Sequence, residues 1–178
     1  MADNADNSFR AAIHALREIV APAVDPANPL ATEQLQLVIA WLEFQRQRLP
    51  HAHDRHRAEL SVYMKIAETA AGAAGSHGAA LQPAIGAAAK TLESPSAGFP
   101  ELRSATQRLE LGVAELVRTA PDMPAEAQAE LERAVVRAMK GFLDIERVWF
   151  QPMGVEATSK ALPQLHDVLG VSSDDGRS

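Results

Sequence analysis

Apolar side chains recur at intervals of three or four residues along most of this chain. Phe9, Ile13, Leu16 and Val20 illustrate the spacing near the N-terminus, with steps of four, three and four positions. Residues at such intervals share one face of an α-helix. The regular alternation of β-branched and polar residues that is typical of a half-buried strand does not occur. The sequence therefore predicts an all-α fold without a β-sheet.

Prolines divide this pattern into about six or seven helices, because proline cannot continue a helix from its interior. The predicted helices span residues 9–20, 32–49, 52–74, 77–92, 101–119, 123–150 and 159–169. Pro83 and Gly86 interrupt the fourth segment. Short connections predict antiparallel neighbours in a bundle. We expect a single helical domain over residues 1–178, with disordered tails at 1–7 and 172–178.

Three glycines stand three positions apart in an alanine-rich stretch. They are Gly72, Gly75 and Gly78, and the motifs of phosphate-binding loops do not accompany them. Glycine allows close backbone approach and left-handed conformations. The spacing therefore favours close helix packing or a break at a helix end.

Composition narrows the biological setting. The chain has no cysteine, which excludes a disulfide framework and a cysteine nucleophile and fits a reducing compartment. The first seven residues are acidic and polar, unlike a secretory signal. The uncharged run 69–89 is mostly alanine and glycine, which are too weakly apolar for a membrane span. We expect a cytoplasmic protein, and 13 arginines against 4 lysines in an alanine-rich chain suggest a bacterial source.

The net charge of −6 argues against a nucleic-acid partner, because such proteins usually carry a basic stripe. One local basic cluster exists, formed by Arg46, Arg48, Arg55 and Arg57. A short cluster of this kind is typical of a solvated helix-hairpin tip.

Histidines concentrate in the segment His51-Ala52-His53-Asp54-Arg55-His56. Imidazoles are common metal ligands, so His51, His53 and His56 form a candidate metal site. On a helix, His53 and His56 share a face, and a further ligand would have to come from another helix. Glu43 is the nearest carboxylate on the preceding helix, although it belongs to the polar stripe. The alternative is a group of solvated histidines at a hairpin tip.

Five aromatic residues form a second candidate site. They lie on the second, third and sixth predicted helices, and they are Trp41, Phe44, Tyr63, Phe142 and Trp149. Aromatic side chains between helices can line a pocket for a small ligand. The same residues can equally form part of a packed core.

The second predicted helix is apolar around most of its circumference. Leu35, Val38, Ile39, Leu42 and Leu49 form one stripe, and Leu37, Trp41 and Phe44 form another beside it. One neighbouring helix cannot cover both stripes. The leading hypothesis is therefore a non-catalytic accessory or protein-interaction module that works without a cofactor, as a homodimer or with a protein partner. A metal-dependent enzyme using the histidines and a small-ligand binder using the aromatic residues stay open as alternatives.

Overall fold

The computed structural model describes residues 2–154 and 162–171, and these residues form helices and turns without any strand. The all-α prediction is confirmed. Six α-helices have 12 residues or more, and a seventh is short. Their bounds are α1 Ala2–Ala15, α2 Pro29–Arg48, α3 Ala52–Ala73, α4 Gln82–Glu93, α5 Phe99–Arg118, α6 Ala125–Phe150 and α7 Leu165–Leu169. None of the helices in the described part combines the length and apolar character needed to cross a membrane.

Helix α1 begins at Ala2, seven residues before the predicted start at Phe9. The prediction of a disordered segment over residues 1–7 is therefore corrected for residues 2–7. Two local interactions stabilise this first part of the helix: Arg10 pairs with Asp6 at 2.7 Å, and the Ser8 hydroxyl donates to the Asn4 carbonyl at 2.8 Å. The second predicted tail, 172–178, lies outside the described residues.

Two predicted helices are shorter than expected. Residues Gly75–Leu81 form a 3₁₀ turn, and α4 begins only at Gln82. Pro83 then occupies the first turn of α4, where its missing N–H has no helical partner to lose. Helix α7 begins at Leu165, where Gln164 caps it together with Asp167, so residues 162–164 of the predicted helix are not helical. The part of that prediction covering residues 159–161 lies outside the described residues.

The chain divides into two compact units, whereas the sequence predicts one domain. The first unit comprises Met1–Ala52 and Trp149–Ser159, and the second comprises His53–Val148 and Lys160–Ser178.

The second unit has an extensive apolar core contributed by α3, α4, α5 and α6. Helices α3 and α6 run antiparallel, because Arg55 contacts Glu146 near one end and Tyr63 contacts Phe142 further along. The largest side chains that are fully buried in this unit belong to α3, α5 and α6: Leu60, Ile66, Leu102, Leu109, Leu131, Ile145 and Val148.

Glycines explain how the turn before α4 approaches α3. A Cβ at Gly78 would lie 2.7 Å from the Ala71 carbonyl carbon, which leaves no room for a side chain. Gly75 has a φ of +57°, a left-handed conformation that ends the helix. The predictions of close packing and a helix end are thus confirmed at these two positions. A Cβ at Gly72 would meet nothing within 4 Å.

The first unit is built from α1 and α2 with the end of α6. Ion pairs link Asp6 to Arg46 at 3.9 Å and Arg17 to Glu43 at 2.7 Å. Because the later residue of the N-terminal segment pairs with the earlier residue of α2, the two segments run antiparallel. Its core is small. Among the described residues of this unit, the buried side chains are Ile13, Ile39, Phe44 and Trp149.

Candidate functional site

Two of the three predicted metal-binding histidines lie side by side at the start of α3. The ring of His53 donates from Nε2 to the Ala97 carbonyl at 3.0 Å, and His56 Nδ1 is 3.1 Å from a Glu59 carboxylate oxygen. Both rings also make T-shaped contacts with the ring of Phe99, with centroid distances of 5.9 Å for His53 and 5.4 Å for His56. The local structure therefore uses one nitrogen of each ring for a protein contact.

His51 occupies the exposed 3₁₀ turn Leu49–His51 and belongs to the first unit. Within the described part of the chain, no three His, Asp or Glu side chains are grouped so that they could hold a metal ion. Glu43, the carboxylate considered as a further ligand, pairs with Arg17 instead. A metal site formed by His51, His53 and His56 stays a prediction.

The aromatic residues of the second candidate site belong to different units. In the first unit, Phe44 contacts Trp41 at a centroid distance of 5.3 Å and stacks on Phe150 at 5.5 Å. Trp149 is buried, and the Arg48 guanidinium lies 5.5 Å from its ring centroid. Arg48 Nε also donates to the Trp149 carbonyl at 2.9 Å.

In the second unit, Tyr63 meets Phe142 in a T-shaped contact with a centroid distance of 5.3 Å. This geometry is one that aromatic pairs favour in packed interiors. A ligand pocket formed by Trp41, Phe44, Tyr63, Phe142 and Trp149 stays a prediction.

The four arginines of the basic cluster have partners inside their own units. Arg46 faces Asp6, and Arg48 holds the Trp149 carbonyl. Arg57 donates to the carbonyls of Leu92 and Ser94, where α4 ends. Arginines near a helix C-terminus stabilise its unpaired carbonyls. This arginine therefore has a structural role that the sequence pattern did not indicate.

The fourth arginine, Arg55, joins two glutamates in a half-buried network on α3 and α6. Its guanidinium donates to Glu59 at 2.6 Å and to Glu146. The side chains are only 19%, 14% and 28% exposed for Arg55, Glu59 and Glu146. The helical spacing of Arg55, His56 and Glu59 indicates part of this network from the sequence alone. Glu146 could not be found in this way, because it belongs to a helix far along the chain.

Tyr63 borders this network. Burial of the phenol, together with the charge of Glu110 and a hydrogen bond to it, raises the pKa of Tyr63 to about 12. Glu59 and Glu146 add to the shift, because their negative charges disfavour a phenolate. Tyr63 is thus held in its neutral form at neutral pH.

We expect the single tyrosine of the chain to titrate near pH 12 rather than near its ordinary value of about 10. Because the folded pKa exceeds the unfolded pKa, this group has no effect on stability below about pH 10 and destabilises the folded state as the pH rises towards 12. Near-ultraviolet absorbance of the phenolate measures the midpoint. The variant Glu110→Gln should lower that midpoint, and a native midpoint near 10 would contradict the assignment.

A surface groove in the second unit lies between α3 and α6 and has a volume of about 670 Å³. Its lining includes the small residues Gly72, Ala73 and Ala134 and the charged residues Glu68 and Arg137. It contains none of the predicted site residues, and it is open to solvent.

Most of the large apolar side chains that the first unit exposes lie along α2 and the turn after it. Of the 20 residues in this helix, only Ile39 and Phe44 are buried. We define the α2 face as seven residues along one side of the helix and the turn after it: Leu30, Gln34, Leu37, Val38, Trp41, Gln45 and Leu49. The apolar members are exposed by 65%, 52%, 47%, 46% and 41%, in chain order. An apolar strip of this kind is typical of a surface that packs against another helix.

The sequence pattern predicts that α2 is apolar on more than one side, but it does not indicate which side stays exposed. Ile39 and Phe44 are the buried residues of α2, and Phe44 stacks on Phe150, whereas the apolar members of the α2 face stay exposed. Comparisons with protein-family models, with curated proteins and with solved structures found no match for this chain.

Proposed function

We propose that this chain is a non-catalytic protein-interaction module that binds an α-helix of a protein partner along the α2 face. One observation carries the proposal. The first unit buries four apolar side chains among its described residues but exposes seven large ones, five of which belong to the α2 face. Exposed apolar area that is concentrated on one helix indicates a surface that is covered by a partner.

The shape of the α2 face favours a helix as the partner. Leu30, Leu37, Val38 and Trp41 recur at the intervals with which one helix packs its side chains against another. From Leu30 to Leu49 the face is about 28 Å long at 1.5 Å per residue. A small molecule would instead be expected in a concave site that encloses it.

The chemistry of the α2 face also distinguishes a protein from a lipid surface. Its polar members, Gln34 and Gln45, are neutral hydrogen-bonding side chains. Helices that lie on anionic membranes usually carry lysine and arginine around their apolar strip. The two arginines of α2 are instead engaged within the first unit, Arg46 with Asp6 and Arg48 with the Trp149 carbonyl. Glutamines within an apolar strip are better suited to hydrogen bonds with another protein.

Site-specific photo-crosslinking in cells of the organism that makes the protein tests this proposal. A benzophenone amino acid replaces Val38 on the α2 face or, as a matched control, the exposed Gln36 on another side of the same helix. We expect a covalent protein adduct from position 38 in at least about tenfold excess over position 36, and we expect Trp41→Glu to remove it. Equal amounts of adduct from both positions, or adducts with lipid alone, would refute the proposal that the α2 face binds a protein partner.

A further inference from the structure

We infer that the helix bound by the α2 face is the α2 helix of a second copy of this chain, in antiparallel orientation about a two-fold axis. This inference rests on the proposed function, and it adds the identity and the geometry of the partner. It comes from a symmetry in the residues of the α2 face that neither composition nor helical periodicity requires.

Six members of the α2 face form a palindrome. Leu30, Gln34, Val38, Trp41, Gln45 and Leu49 follow one another at steps of 4, 4, 3, 4 and 4 residues. Their chemistry is symmetric as well: leucine, glutamine and an apolar residue are followed by an apolar residue, glutamine and leucine. At about 100° per residue these six positions fall within one sector about 100° wide.

Antiparallel pairing about an axis between Val38 and Trp41 places apolar residues opposite apolar residues and glutamines opposite glutamines. Leu30 of one copy lies opposite Leu49 of the other, and each Gln34 lies opposite a Gln45. Val38 packs against Trp41 twice, once on each side of the axis. A two-fold interface must be self-complementary, because the same surface serves both subunits.

A parallel arrangement in register would place each residue opposite its own copy. It would put the two Trp41 rings opposite each other, and the two Val38 side chains would likewise pair only with themselves. The antiparallel pairing instead combines a large ring with a small side chain, as well-packed interfaces require.

Charge does not oppose this pairing. None of the seven residues of the α2 face is ionisable, although the whole chain has a net charge of −6. Two copies can therefore approach through this surface without placing like charges directly opposite each other. The contact is a single helix seam, so we expect a reversible dimer with a Kd on the order of 10 µM.

The absence of native cysteine makes disulfide trapping a clean test. Two full-length variants, Gln34→Cys and Gln45→Cys, are mixed at concentrations above the expected Kd and oxidised mildly. We expect a cross-linked species of about 38 kDa, twice the chain mass of 19.1 kDa, to form at least about tenfold faster in the mixture than with either variant alone.

Each orientation gives a different result. In the antiparallel dimer the two position-34 sites of one dimer are about 16 Å apart along the helix, so the single variants cross-link slowly. A parallel dimer in register would cross-link each variant with itself and would overturn the inference. A matched mixture of Gln36→Cys and Gln47→Cys, which lie on another side of α2, gives the background rate. A 34–45 mixture that cross-links no faster than this background also overturns it.

Together, the photo-crosslinking and cysteine experiments distinguish a wrong partner from a wrong binding surface. If photo-crosslinking from position 38 yields an adduct whose mass is not twice that of the chain, and the cysteine mixture shows only background, the α2 face binds a different protein. If position 38 yields no protein adduct above the control and the cysteine mixture shows only background, both proposals are wrong.

Discussion

Gly78→Ala is expected to destabilise the protein by about 3 kcal/mol or more. The new methyl group would lie 2.5 Å from Ala71 Cα and 2.7 Å from its carbonyl carbon, and both atoms belong to the backbone of α3. A flexible side chain could move aside, but a helix backbone that carries core residues on both sides cannot. Urea denaturation monitored by circular dichroism measures the free energy of unfolding.

Gly72→Ala provides the matched control for this prediction. Gly72 lies on α3 only one position after Ala71, and a Cβ there would meet nothing within 4 Å. Because alanine has the higher helix propensity, this variant should be more stable by about 0.5–1 kcal/mol. If Gly78→Ala were also neutral or stabilising, the close approach of the 3₁₀ turn to α3 would be wrong.

Arg55→Met is expected to lower the free energy of unfolding by about 2–4 kcal/mol. The substitution leaves Glu59 and Glu146 half-buried without the guanidinium that joins them. Removing one partner of such a network costs more than the original contact contributes, since the remaining charges have lost their solvation by water. The same denaturation measurement gives the size of the effect.

Two variants separate this network from an ordinary surface ion pair. Arg118 pairs with Glu115 on the exposed surface of α5, so Arg118→Met should cause no measurable loss. Adding Glu59→Gln to Arg55→Met should recover part of the lost stability, because one unpaired charge disappears. If Arg55→Met behaves like Arg118→Met, the network does not stabilise the fold.

The sequence identified most of the fold, because helical periodicity is a local property of the chain. Helix α2 begins at Pro29 and α6 ends at Phe150, within a few residues of the predicted bounds. The predicted helix bounds are wrong where local sequence signals for and against a helix compete. The polar residues 2–7 have no apolar stripe, yet ion pairing between Asp6 and Arg10 accompanies helix formation there.

The candidate sites were harder to predict, because their partners lie far apart in sequence. The shared helical face of His53 and His56 follows from their spacing, but Phe99, whose ring contacts both, comes from the start of α5. Likewise, Arg55 and Glu59 are four positions apart, whereas Glu146 reaches them only because α6 packs against α3. No periodicity in the sequence encodes which helix becomes a neighbour.

The sequence by itself determined that this chain folds into helices, where most of them lie, and that α2 is apolar on more than one side. Only the tertiary structure decided which of these sides is covered. Burial depends on contacts between distant segments: Ile39 and Phe44 became core, while Val38 and Trp41 stayed exposed. The periodicity of a helix is set by its own backbone geometry, but the fate of each face depends on what packs against it.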